Sequence, residues 1–177
     1  MQLFLHQMKA LKLTEGKNRV AYYIDMGGGK TFVGSEKMIG FYSTFNLVVC
    51  QKSKVQDWID HFKEHYSEHP YCTELYDLTN KKQLERFMKV VNYWEEYMEM
   101  HEDFRGEPCE PYLQKNPDPC QYIGFINYDL VFRRPDLLHL KNFTLMLDES
   151  SIIQNEKAKR SKFILKMHPK NVILLSG

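Results

Sequence analysis

Residues 19–31 read RVAYYIDMGGGKT: a short β-prone run, three consecutive glycines, then Lys30 and Thr31. Glycine loses more conformational freedom on folding than any other residue, so a run of three asks for a backbone reason. The following stretch, TFVGSEKMIGFY (31–42), carries Phe32, Val33, Met38 and Ile39 at the spacing of one helix face. The glycines therefore fall between a strand and the N-terminus of a helix.

Strand, glycine-rich turn ending in Lys-Thr, helix is the geometry of a phosphate-binding loop. Successive backbone N–H groups turn inward around an anion, and the helix N-terminus adds its partial positive charge. The lysine then reaches the β- and γ-phosphates, and the threonine hydroxyl meets Mg²⁺. Those roles fall to Gly27, Gly28, Gly29, Lys30 and Thr31. The strict pattern GxxxxGK[ST] wants a glycine six residues before the lysine, where this chain has Ile24. On the loop alone, a plain tight turn before a helix remains open.

The matching half of the site lies far downstream. LMLDE (145–149) is an apolar strand that delivers Asp148 and Glu149 at its C-terminal end. Open α/β sheets bind ligands at that end of their strands. An aspartate there can share Mg²⁺ with the threonine, and the adjacent glutamate can orient and deprotonate an attacking water. The glycine loop and the acidic pair together define a nucleoside-triphosphate site with Lys30, Asp148 and Glu149 as its catalytic groups.

The rest of the chain supplies a scaffold of the same kind. At 177 residues, 43% hydrophobic and 14% aromatic, it suits one globular domain. LVVC (47–50) reads as a strand covered on both faces, followed by a helix with Val55, Trp58, Ile59 and Phe62 on one stripe and Ser53 placed to cap it. YIGFIN (122–127), TLMLD (144–148) and NVILLSG (171–177) continue the strands, and 155–167 reads as a basic helix. Alternating strands and helices predict right-handed crossovers and a mostly parallel α/β sheet with helices on both faces.

The middle breaks this rhythm. Residues 81–104 predict a long amphipathic helix with Leu84, Phe87, Met88, Val91, Trp94 and Met98 inward, and the four prolines of 105–120 predict a loop. Charge separates accordingly: +3 over residues 1–65, −6 over 66–121 and +4 over 122–177. Residues 66–121 thus read as an acidic helical insertion, and that acidity argues against a surface that binds nucleic acid throughout. Cys50, Cys72, Cys109 and Cys120 form no CxxC pair, which suits reduced thiols in a cytoplasmic protein. A zinc site of Cys109, Cys120 and His101 is a minor alternative. No apolar run approaches the roughly 18 residues of a membrane span, and no signal peptide is recognisable.

With these residues in place, the chain resembles the first RecA-like lobe of a superfamily 2 helicase or translocase, in its Swi/Snf-like branch. That branch writes its loop D-E-M-G-x-G-K-T and also lacks the first glycine; Met26, Gly27, Gly29, Lys30 and Thr31 match it. LVVCQKSKVQDWIDHF resembles the family's LIVCP-x-S-LL-x-NW-x-x-E-F, with Ser53 and Trp58 matching and Gln51 in place of proline. DESSIIQN resembles D-E-x-H-x-I-K-N through Asp148, Glu149, Ile153 and Asn155, while Ser151 and Gln154 depart from it. FINYDLVFRR resembles the T-x-Y-E segment, and the final LLSG resembles the start of L-S-G-T-P.

The resemblance implies ATP and Mg²⁺ as cofactors, with Gln7 reading the adenine edge and Thr31 and Asp148 holding the metal. It implies DNA, duplex favoured, as partner through backbone contacts near Ser53, Lys54 and Asn127. The basic helix around Lys157, Lys159, Arg160 and Lys162 either adds to that track or is a solvated face. A second RecA-like lobe is expected beyond residue 177 to supply arginine fingers, typically worth ~10³–10⁵ in rate. This lobe alone is therefore expected to bind ATP weakly and hydrolyse it barely. The compact motifs fit a bacterial or phage protein. The alternatives are an RNA-directed helicase, a nucleotide-gated interaction module without motor activity, and a phosphotransferase, the last disfavoured by the scarcity of arginines between the loop and the acids.

Overall fold

The computed structural model describes residues 3–25, 27–66, 73–100 and 121–177. In chain order these form α1 (Leu5–Leu13), β1 (Arg19–Tyr23), α2 (Lys30–Ile39), β2 (Phe45–Cys50), α3 (Val55–Tyr66), β3 (Thr73–Asp77) and α4 (Lys81–Met100). Then come β4 (Gln121–Asn127), α5 (Tyr128–Val131), β5 (Thr144–Leu147), α6 (Lys159–Leu165) and β6 (Asn171–Ser176). The six strands make one sheet in the order β1-β6-β5-β2-β4-β3, and every pairing is parallel.

That order dictates where the helices go. Right-handed crossovers that run toward the β3 edge leave from one face, and those that run back leave from the other. The steps β1→β2 and β2→β3 run toward β3, so α2 and α3 share a face. The steps β3→β4, β4→β5 and β5→β6 return, so α4, α5 and α6 share the opposite one. Two buried clusters confirm this division. One joins Val33, Met38, Trp58, Ile59 and Phe62 to Val48, Phe125 and Met146 of the sheet. The other joins Leu84, Phe87, Val91, Phe163 and Ile164 to Leu47, Ile126 and Leu145. Strands β2, β4 and β5 are buried at every position, as a sheet covered on both faces requires.

Several expectations need adjustment. The stretch expected to decorate the sheet contributes to it: TELYD (73–77) is an edge strand parallel to β4, and α4 is the crossover that covers it. Met98, expected inward, is exposed beyond the edge of the core. Ser53, expected to cap α3, lies inside a 3-10 turn (Lys52–Lys54) that runs directly into the helix. The basic helix is shorter than 155–167. The expected loop at 105–120, with Cys109 and Cys120, lies outside the described residues, as do His101 and Cys72. Cys50 is buried, and burial first, then the neighbouring carboxylates, pushes its thiol up to about 12, so it is no nucleophile near neutral pH.

Candidate nucleotide-binding site

The site is assembled at the C-terminal ends of β1, β5 and β6. After β1 the chain turns through Gly27 and Gly29 at φ 82° and 75°, the left-handed region that glycine adopts without penalty, and Gly29 is the N-cap of α2. Gly28 is needed for space instead. A Cβ on it would lie 2.5 Å from Cγ2 of Ile24. Ile24 stands where the strict motif has glycine, so the room lost there is recovered by the middle glycine. Gly28 N–H donates to the Asp25 carbonyl at 3.0 Å, closing the turn. Met26 lies outside the described residues.

Helix α1 backs this loop. Gln7 is buried, donates from Nε2 to the Gly29 carbonyl (3.3 Å) and accepts Phe4 N–H on Oε1 (2.8 Å). The residue expected to read adenine thus lies against the loop, with both ends of its amide engaged by main chain. His6 Nε2 lies 2.9 Å from the Gly28 carbonyl, a second contact that only the fold reveals.

At the end of β5, two adjacent acids have different surroundings. Asp148 is 7% exposed and fixed at three points. Its N–H donates to the Val49 carbonyl (2.9 Å), Tyr128 Oη–H donates to its carbonyl (2.8 Å), and Trp58 Nε1–H donates to its Oδ2 (2.9 Å). Burial raises the carboxyl's pKa, the Trp58 bond lowers it, Glu149 raises it and Lys30 lowers it; the net direction is upward. Glu149 adopts the left-handed conformation (φ 52°), uncommon outside glycine, and its carboxylate forms a short ion pair with Lys30 Nζ. The end of β6 closes the site: a Cβ on Gly177 would lie 3.1 Å from Lys30 Nζ, so the last residue of LLSG meets the phosphate-loop lysine.

The structure thus brings Gln7, Gly27, Gly28, Gly29, Lys30, Thr31, Asp148 and Glu149 to one rim. The residues expected on a nucleic-acid track divide. Ser53 and Lys54 are exposed at the end of β2, with Lys54 in a solvent-facing pair with Asp57 (2.8 Å). Asn127 does not join them. It is 2% exposed, and its Oδ1 accepts from Asp129 and Leu130 N–H at 3.0 Å each as the N-cap of α5. Tyr128 is buried as well and turned to Asp148. Reasoning from sequence missed Trp58 as a partner of Asp148. The available signal was chemical: a buried indole N–H needs an acceptor.

A glycine loop capping α2 and an acidic pair at the end of a parallel strand define a RecA-like P-loop lobe. Residues 6–177 match the SNF2-related domain family, and the chain belongs to it. No curated protein matches it. Among solved structures, it is similar to the Sulfolobus solfataricus SWI2/SNF2 ATPase core in complex with dsDNA (TM-score 0.64, 17% identity) and to that organism's SWI2/SNF2 ATPase core domain (TM-score 0.59, 17% identity). Each match covers 100% of this chain and 32% of the other, so this chain spans about a third of their length. Among the described residues no helix is long and apolar enough to cross a membrane.

Proposed function

We propose that this chain is the ATP-binding lobe of a DNA-dependent ATPase, duplex DNA favoured, in which Mg-ATP hydrolysis drives movement along DNA together with a second RecA-like lobe. The observation that carries the reading is the meeting of Lys30, at the start of α2, with Glu149, at the end of β5 (119 residues apart). Membership of the SNF2-related family and the similarity to a SWI2/SNF2 ATPase core in complex with dsDNA support the choice of DNA.

Lys30 and Glu149 hold one another, and a γ-phosphate competes with the carboxylate for the same ammonium. Nucleotide binding draws Lys30 toward phosphate and frees the Glu149 carboxylate to orient a water and accept its proton. The glycine loop and the first turn of α2 offer backbone N–H groups to phosphate oxygens, with Gly28 N–H already turned to the Asp25 carbonyl, and Gln7 supports the loop from behind. Asp148 and Thr31 offer hard oxygen donors, the set that suits Mg²⁺, and the buried carboxylate of Asp148 is one that a cation would stabilise. Mg²⁺ held there would neutralise charge on the phosphates.

Nucleic acid fits the open cleft beyond the site, at the ends of β2 and β4. Lys52, Ser53 and Arg160 line it, and Arg160 lies 3.8 Å from Asp129. Accessible cations and hydroxyls, here the exposed Lys52 and Ser53 and the half-buried Arg160, bind phosphodiester backbone in a salt-sensitive, sequence-independent way.

The test is steady-state ATP hydrolysis by a chain carrying both lobes, with no nucleic acid, duplex DNA, single-stranded DNA or RNA added. Stimulation by duplex DNA that disappears in Lys30→Ala is expected. Stimulation by RNA alone would overturn the DNA assignment. Absence of hydrolysis throughout would leave a nucleotide-gated interaction module.

A further inference from the structure

We infer that α3 is a brace between the two halves of the divalent-cation site, and that Trp58 is the residue that positions Asp148 in it. The inference rests on the Mg-nucleotide reading above. Trp58 is 3% exposed and Asp148 7%, so the indole N–H and Oδ2 meet away from water, with no solvent partner to exchange for. The bond uses one lone pair of Oδ2, and the carboxylate's remaining lone pairs are those that would meet a cation. Tyr128 and Val49 fix the main chain of the same residue, so the carboxylate has one orientation.

The same helix reaches the other half of the site. The Trp58 indole packs edge-on against His61 (6.0 Å between centroids, 87°), one turn further along α3. His61 Nε2 lies 2.9 Å from Ser35 Oγ, and Ser35 Oγ–H donates to the Thr31 carbonyl at 2.8 Å. A hydroxyl has one proton, so with Ser35 donating to Thr31, His61 donates from Nε2 to Ser35. One face of α3 thus holds the Asp148 carboxylate directly through Trp58, and reaches Thr31 through Ser35 of α2, whose hydroxyl bonds both His61 and the Thr31 carbonyl. Outer partners of metal ligands orient those ligands, and losing one costs about 10–100-fold in metal affinity or activity.

The experiment compares ATP affinity of the full chain in EDTA and in Mg²⁺, by titration calorimetry. The ratio of the two constants cancels any general loss of folded protein. Trp58→Phe keeps an aromatic ring, smaller than the indole, and removes the N–H. Its affinity in EDTA should equal that of the unmodified chain, while the gain from Mg²⁺ falls about tenfold. Asp148→Asn is the reference and should lose that gain. A full gain in Trp58→Phe beside a lost gain in Asp148→Asn overturns the brace and leaves the nucleotide reading standing. A full gain in Asp148→Asn overturns the metal site and the brace with it.

A second readout does not depend on the Trp58 variant folding. The chain has two tryptophans, so two indole N–H signals appear in a ¹⁵N spectrum, and Trp94→Phe assigns them. Adding Mg²⁺ to the ATP-bound chain should shift the Trp58 signal and leave it unmoved in Asp148→Asn. An unmoved Trp58 signal in the unmodified chain contradicts the brace.

Discussion

After β1 the chain turns through Gly27 and Gly29 in left-handed conformations and touches its support through main-chain carbonyls of Gly28 and Gly29. After β5, Asp148 is buried and held by Trp58, Tyr128 and Val49 from three directions. The loop is therefore shaped by what its residues lack, and the acid by what surrounds it. Sequence writes the first kind of construction in one contiguous stretch. The second is scattered over α3, α5 and β2, and only folding gathers it.

Glu149 sits between these two regimes, and its substitution gives the largest expected effect. In a chain carrying both lobes, Glu149→Gln should lower single-turnover hydrolysis by about 10²–10⁴-fold, the contribution of a positioned general base. ATP binding should survive, because Lys30 loses a competitor and keeps its charge. Unchanged turnover would move the proton acceptor elsewhere.

Gly29→Ala attacks the loop alone. The new Cβ would lie 2.1 Å from Gln7 Nε2, and alanine is strained at φ 75°. Strain of about 1–3 kcal/mol, relieved only when the loop leaves its binding shape, corresponds to roughly a 5- to 150-fold loss of ATP affinity. Adding Gln7→Ala should recover the part due to the clash and leave the part due to φ. Full recovery would show that conformation at Gly29 is unimportant.

The smallest effect concerns the acid's support. Burial, and secondarily the neighbouring His65, lowers the pKa of His61 from 6.5 to about 4. The unfolded chain then binds the proton more readily, so this contribution to stability is whole above pH 6.5 and is lost as pH falls toward 4. Its partly exposed position limits the size to about 1 kcal/mol. Urea unfolding at stepped pH should show this slope, and His61→Gln should flatten it.

Strands β2, β4 and β5 were readable because each is an apolar run covered on both faces, and β1 and β6 because their inward positions alternate with less buried ones. TELYD was not, because an edge strand with one fully buried residue has no such run. The acidic count of 66–121 suggested an appendage, yet on α4 Glu85, Glu96 and Glu99 are exposed while Leu84, Phe87 and Val91 cover the sheet. The glycine loop and the Asp-Glu pair were legible because the proposed chemistry needs those residue types side by side. Asn127 was misread because capping and phosphate contact ask for the same polar side chain, and burial alone separates them. Trp58 fell on the inward stripe of α3, where its ring explained its place and concealed the work of its N–H.

The central claim is that Lys30 and the glycine loop bind the phosphates of ATP. Equilibrium titration of the full chain and of Lys30→Ala with ATP, in Mg²⁺, tests it most directly. The account predicts saturable binding that weakens at least about tenfold when the ammonium is removed, the loss of one charge-assisted contact. Equal binding by the two proteins, or none by either, would contradict it.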